Sequence, residues 1–186
     1  MRKKELIIVG AAIAVAFAVA MFYPVIATAA GNVEIPPAWS QKLDASKRFV
    51  LVLDGEAVLD KETGLVWERE PSQSKYYWPA DGPSITANGV CSSINVGGRR
   101  GWHLPTLEQI SSLFDPSVSG EPKLPQGHPF IGVLVNRYWT VTSCPGASEE
   151  MALSFEFSEG YADCESKYEE THYRWCVRGG QTHDFR

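Results

Sequence analysis

Four cysteines, Cys91, Cys144, Cys164 and Cys176, lie downstream of an N-terminal stretch that reads as an export signal, and they limit the possible fold most strongly. That stretch, "MRKKELIIVGAAIAVAFAVAMFYPVIATAA", sets Arg2, Lys3 and Lys4 ahead of an apolar run from Leu6 to Phe22, then supplies Ala27-Thr28-Ala29, a small-x-small cleavage pattern. A core helix apolar on every side would need cover that no other element offers, whereas the basic start suits a segment entering a membrane with positive charge inside. Leu6 to Ala30 also reaches the roughly 20 apolar residues that span a bilayer. Residues 1–29 are therefore expected to be a signal peptide or an uncleaved N-terminal anchor, the only part of the chain expected to meet a membrane. Residues 30–47, with Pro36-Pro37 and no sustained periodicity, are expected to form a linker or arm. Export to the periplasm, cell surface or exterior makes disulfides the expected state of an even cysteine set. A zinc site is disfavoured, because no cysteine pair has C-x-x-C spacing and no histidine lies within four residues of another. Three pairings of four cysteines exist, and spacing does not choose among them.

The whole chain carries a net charge of −5, and loss of residues 1–29 removes three basic residues and Glu5, making it more acidic still. Nucleic-acid binding, which depends on many Lys and Arg contacts to phosphate, is not expected. The chain left after the signal has the length of one domain, expected over residues 48–182.

Within that domain, "RFVLVLDGEAVLDKETGLVWERE" alternates β-branched runs with turns. Val58 and Leu59 enter a turn at Asp60 to Gly64, and Leu65, Val66 and Trp67 leave it, which predicts a hairpin with Gly64 free to take a positive φ. "DGPSITANGVCSSINVGG" predicts a helix capped by Ser84, with Ile85, Ala87, Val90, Cys91 and Ile94 along one side. In "GGRRGWHLPTLEQISSLF", Thr106 and Gln109 form a capping box, and Leu107, Ile110, Leu113 and Phe114 share a helical face. Gly97, Gly98 and Gly101 sit too far before this helix to cradle a phosphate at its N-terminus, and no Lys-Ser or Lys-Thr follows them. They are expected to form a bend that turns Trp102 and Leu104 inward. Residues 115–136, rich in Pro and Gly, predict a long surface loop. "RYWTVTS", "MALSFEF" and "HYRWCVRGG" predict strands, the last with Tyr173, Trp175 and Val177 on one side. Strands, two helices and strands again make an α+β order.

"LDKETGLVWERE", "GGRRGWHLPTLEQISSLFD", "YWTVTS" and "RWCVRGG" occur in the order found in the Lcl C-terminal domain family, and residues 50–180 resemble it. The family is named for the C-terminal domain of a bacterial collagen-like adhesin and was long called domain of unknown function 1566. The resemblance implies a single C-type lectin-like domain in which two helices flank a small antiparallel sheet. It also implies the pairing of Cys91 with Cys176 and of Cys144 with Cys164. The Glu-Pro-Asn, Gln-Pro-Asp and Trp-Asn-Asp tripeptides of calcium-dependent sugar sites do not occur in this chain. The adhesin binds sulfated glycosaminoglycans, but this chain is acidic and lacks Gly-x-y repeats, so that activity does not transfer.

The residues do not suggest an enzyme. There is no G-x-S-x-G elbow and no H-E-x-x-H helix, and oxidised cysteines cannot act as nucleophiles. His103 falls in the packed bend and His183 in the tail. The acidic residues Glu149, Glu150, Glu159, Asp163, Glu165, Glu169 and Glu170 lack a regular calcium loop and read as a solvated face. No metal or other cofactor is expected. Trp67, Trp102, Trp139 and Trp175, with Leu104 and Thr106, are expected to build the scaffold. Tyr76, Tyr77 and Trp78 in the 72–80 loop, with His128 and Arg137 in or beside the 115–137 loop, are the expected ligand contacts. The expectation is thus an exported, non-catalytic module that recognises a glycan or a surface protein. Its alternative is a structural subunit of an envelope or pilus-like assembly, anchored by its N-terminal helix.

Overall fold

Short β-branched runs separated by tight turns generate most of the regular structure in the computed structural model, which describes residues 43–79 and 85–179. These fall within one unit, Pro36–Arg186. The expected signal or anchor, most of the expected arm, Ser84 and His183 lie outside the described residues.

The elements run α1 (Ala45–Arg48), β1 (Phe49–Val52), a 3-10 turn (Leu53–Gly55), β2 (Ala57–Asp60), β3 (Val66–Glu68), α2 (Ala87–Ser93), β4 (Trp102–His103), α3 (Leu107–Ser111), β5 (Arg137–Ser143), β6 (Met151–Glu156), β7 (Ala162–Ser166) and β8 (Val177–Arg178). The fold is α+β, as its sequence order implies. The expected small sheet is, however, two antiparallel sheets: five strands in the order β1-β2-β3-β8-β4 and three in the order β5-β6-β7. Strand β7 has no counterpart among the expected strands, because its residues are polar and read as part of an acidic surface.

The hairpin predicted around Asp60 to Gly64 joins β2 to β3, with Val58 opposite Trp67 and Gly64 at φ 72°. The Gly97-Gly98 bend is a two-residue turn closed by mutual backbone hydrogen bonds between Val96 and Arg99, with positive φ at both glycines. A Cβ on Gly97 would come within 2.3 Å of the Leu53 Cβ, so this turn also needs glycine for close approach.

Helix α3 carries the capping box read from the sequence: Gln109 N–H donates to Thr106 Oγ1, and Thr106 N–H donates to Gln109 Oε1. Its first turn is pinned to β5, since Leu107 N–H donates to Thr142 Oγ1 at 2.8 Å. The cap of α2 is Thr86, whose Oγ1 accepts from Gly89 N–H, and the helix starts at Ala87. Ile85 precedes the helix and is 76% exposed, so it does not join Ala87 and Cys91 in the core.

The predicted final strand is regular only at Val177–Arg178. Before that, His172 bridges to Tyr76 and Tyr173 to Tyr138, so residues 172–176 carry the chain from one sheet to the other and cannot ladder along a single partner. Helix α1 straddles the end of the expected arm, with Ala45 to Lys47 in it and Arg48 in the expected domain. Its four residues are too few for a helical period to show, and it is fixed by tertiary contact. Arg48 Nε and Nη2 donate to the two carboxylate oxygens of Asp60 at 2.8 and 2.7 Å, and Nη2 also donates to Ser112 O. Ala45, at the start of α1, is buried in the core.

Strand alternation divides the core into two clusters. Val58, Trp67, Tyr138, Phe155, Trp175 and Val177 pack with Ile110 of α3 and with Leu113 just after it in the first. Their strand neighbours Ala57, Trp139 and Cys176 pack with Ala87, Cys91, Trp102 and Leu104 in the second. The four motif tryptophans are buried as expected, and three anchor an indole N–H: Trp102 on Arg99 O, Trp139 on Tyr76 O and Trp175 on Glu68 O. The Trp67 indole N–H is buried with no partner.

Cys91 joins Cys176 within the second cluster, and Cys144 joins Cys164 at the rim of the three-stranded sheet. This is the pairing that the family resemblance implies. With no free cysteine, the disulfides point to an oxidising, non-cytoplasmic compartment. No helix among the described residues is long and apolar enough to cross a membrane.

Candidate functional site

The 115–136 segment is irregular, as its Pro and Gly content predicts, but it is not merely a surface loop. Leu124 and Phe130 are buried, and the Phe130 ring lies 4.9 Å from Trp175 and 5.2 Å from Phe49. Lys123 links the loop to both sides of its base, its N–H donating to Phe157 O and its carbonyl accepting from Asp115 N–H. Above these anchors the loop folds on itself and encloses a groove of about 570 Å³. Asp115, Ser117, Ser119, Glu121, Gln126 and His128 supply its polar wall, while Val118, Pro122 and Leu124 supply apolar surface.

Of the five expected contact residues, His128 alone lines this groove. Its Nδ1 accepts from Phe130 N–H at 3.2 Å, which places the proton of the neutral ring on Nε2. Burial lowers the pKa of this histidine, so the neutral ring is the form present at pH 7.

Arg137 is engaged elsewhere. Pairing of Trp139 with Ser154, and of Ser154 with Asp163, aligns β5, β6 and β7 so that carboxylates converge on its guanidinium. Asp163 Oδ2 and Glu165 Oε1 each lie 2.5 Å from it, with Glu156 Oε2 at 4.0 Å. The acidic residues expected to form a solvated face thus include two of these three carboxylates, Asp163 and Glu165. Behind them His172 is buried against the Trp139 ring, its Nε2 unpartnered and 4.0 Å from Glu165 Oε1. Burial, with Arg137 and Lys75 nearby, lowers the His172 pKa to about 4.

The three aromatics of the 72–80 loop separate by role. Tyr76 and Trp78 pack against the second core cluster, and the Trp78 indole N–H donates to Thr140 O at 2.6 Å beneath the Lys167 ammonium. Tyr77 is 41% exposed. The two loops meet where Gln73 Nε2 donates to Gly132 O, yet no aromatic of the 72–80 loop lines the groove. The expected joint contact surface therefore resolves into a groove built by residues 115–128 and a separate exposed tyrosine.

A second depression of about 270 Å³ lies among Glu56, Glu68, Arg69, Glu70 and Ile131. Its polar groups hold the fold: Glu56 accepts from Gly97 N–H, and Glu68 accepts from Arg174 and from Cys176 N–H. Burial raises the Glu68 pKa, with Arg174 acting against it. The ring nitrogens of His103 face the Leu104 and Gly179 carbonyls. Among the described residues no group of three His, Cys, Asp or Glu side chains is placed to hold a metal ion.

The groove residues Ser117, Ser119, Glu121 and Gln126 are not among those that the sequence singles out. Their signal is the density of Pro and Gly around small polar residues, which marks a shaped loop without saying which way it opens.

A family model described as the Lcl C-terminal domain matches residues 56–178. The chain belongs to the Lcl C-terminal domain family. In this Lcl C-terminal domain the matched segment runs from just before β2 to the end of β8, and so includes both disulfides and the whole groove. A comparison with curated proteins finds no match.

Proposed function

We propose that the chain is an exported, non-catalytic recognition module on a C-type lectin-like scaffold, and that its groove at residues 115–128 takes a saccharide. Three features support the lectin-like assignment: helices α2 and α3, the adjacency of early strand β3 to final strand β8, and the bridge from α2 to the residue before β8. The observation that carries the function is the groove itself. It is of ligand size, is walled by alternating hydrogen-bonding groups, and is held from below by Leu124 and Phe130. Sugar hydroxyls both donate and accept, which suits a wall of carboxylates, serine hydroxyls, an amide and a neutral imidazole.

Probing a glycan array with the oxidised chain tests this reading. Ser119→Trp places an indole in the groove from an exposed position and should lower binding to the selected glycan at least about tenfold, some 1.4 kcal/mol, without shifting the thermal midpoint. Tyr77→Ala, outside the groove, should leave that binding within roughly twofold. No glycan bound, or binding unchanged in Ser119→Trp, contradicts the proposal. Capture of an envelope protein on the groove instead would support a protein ligand.

A further inference from the structure

Resting on the saccharide reading of the groove, we infer that the site selects ligands by charge: it accepts neutral or amine-bearing saccharides and rejects sulfated or phosphorylated ones. The lining contains two carboxylates, Asp115 and Glu121, and no lysine or arginine. Lys123 lies within the same loop but is absent from the lining, and its backbone serves to fasten the base.

The hydrogen-bonding groups include both acceptors and donors, but every charged one is an acceptor. Asp115 Oδ1 accepts from both the N–H and the hydroxyl of Ser117, which leaves Oδ2 to accept from a ligand. Since the Ser117 hydroxyl proton is directed at Asp115, its oxygen presents only lone pairs. Glu121 adds a second carboxylate acceptor. The donors are the His128 Nε2–H, fixed by the bond that Nδ1 accepts from Phe130, with the Gln126 amide and the Ser119 hydroxyl. Sugar hydroxyls and ammonium groups can donate to the carboxylates in charge-assisted bonds. A sulfate or phosphate offers acceptors alone and would set anionic oxygens among two like charges without a cation between them. The negative charge of the whole chain acts in the same direction on approach.

The experiment is an array that carries each saccharide backbone in neutral, amine-bearing and sulfated forms, probed with the oxidised full chain and with the Asp115→Asn, Glu121→Gln double variant. Both substitutions preserve shape, and Asp115→Asn keeps a side-chain oxygen for the Ser117 N–H. For the backbone bound best, the amine-bearing form should bind at least about tenfold more tightly than its sulfated form. That ratio should fall toward unity in the double variant while the thermal midpoint stays within about 2 °C. Rising salt should weaken the amine-bearing ligand more than the neutral one. Preferred binding of sulfated forms, or a ratio unchanged in the double variant, overturns charge selection while leaving a saccharide site intact. Absence of binding to every form overturns the saccharide reading together with the inference.

Discussion

The two sheets are closed in different ways. The three-stranded sheet is a continuous meander, β5 to β6 to β7, made by neighbouring segments. The five-stranded sheet brings Trp67 beside Val177, and its final strand is inserted between β3 and β4. The bridges follow this difference. Cys91–Cys176 spans 85 residues with both cysteines buried, whereas Cys144–Cys164 spans 20 and leaves Cys164 exposed. A sheet assembled from distant segments must overcome a larger loop-closure entropy, and it is the one tied by the long bridge. The meander needs only a clip.

The largest expected effect tests that contrast. Replacing Cys91 and Cys176 together by alanine should cost about 4.5 kcal/mol by the chain-entropy relation, and replacing Cys144 and Cys164 about 3 kcal/mol. Urea unfolding of the two double variants measures both. Equal losses, or a larger loss at Cys144–Cys164, would break the comparison.

Acid should act on the meander side. His172 packs on Trp139 of β5, and its folded-state pKa of about 4 lies below its unfolded value of 6.5. Between these values the unfolded chain binds more protons, so stability is fully present above about pH 6.5 and falls as the pH drops toward 4. The loss should reach about 3 kcal/mol from this group. His172→Gln should remove that part of the slope, seen as the difference between wild-type and variant denaturation from about pH 7 to pH 4. Parallel curves would contradict it.

A smaller difference sharpens the comparison at single side chains. Trp67 of β3 and Trp139 of β5 are equally buried, but only the Trp139 indole N–H has an acceptor. Trp139→Phe should therefore cost about 1 kcal/mol more than Trp67→Phe, because it breaks a hydrogen bond and leaves Tyr76 O with only the His172 N–H, whereas Trp67→Phe removes an N–H that has no acceptor. Identical chemical denaturation midpoints would show that the bond is energetically silent.

How much of this was legible in the sequence depended on range. The β2–β3 hairpin, the Thr106 capping box and the inward Trp102 and Leu104 arise within a few residues, and local pattern reveals them. The surroundings of Arg137 arise from strand register: Asp163 and Glu165 reach it only because β6 pairs with both its neighbours, which spacing along the chain cannot display. The same holds for α1, fixed by Arg48 on Asp60, and for the break at His172 and Tyr173, where the chain changes sheets. Trp78 reads as a loop aromatic and is an anchor, because its acceptor, Thr140 O, lies far away in sequence. The groove was partly legible: the loop and His128 stand out, while its opening and the Asp115–Ser117 contact depend on how the loop closes over Leu124.

The most direct test of the proposed recognition surface is amide hydrogen exchange on the oxidised chain, with and without the saccharide that the array selects. Protection confined to residues 115–128, with both sheets and the 72–79 loop unchanged, is the predicted result. Protection centred on residues 72–79 or 161–168, with the groove unaffected, would contradict it.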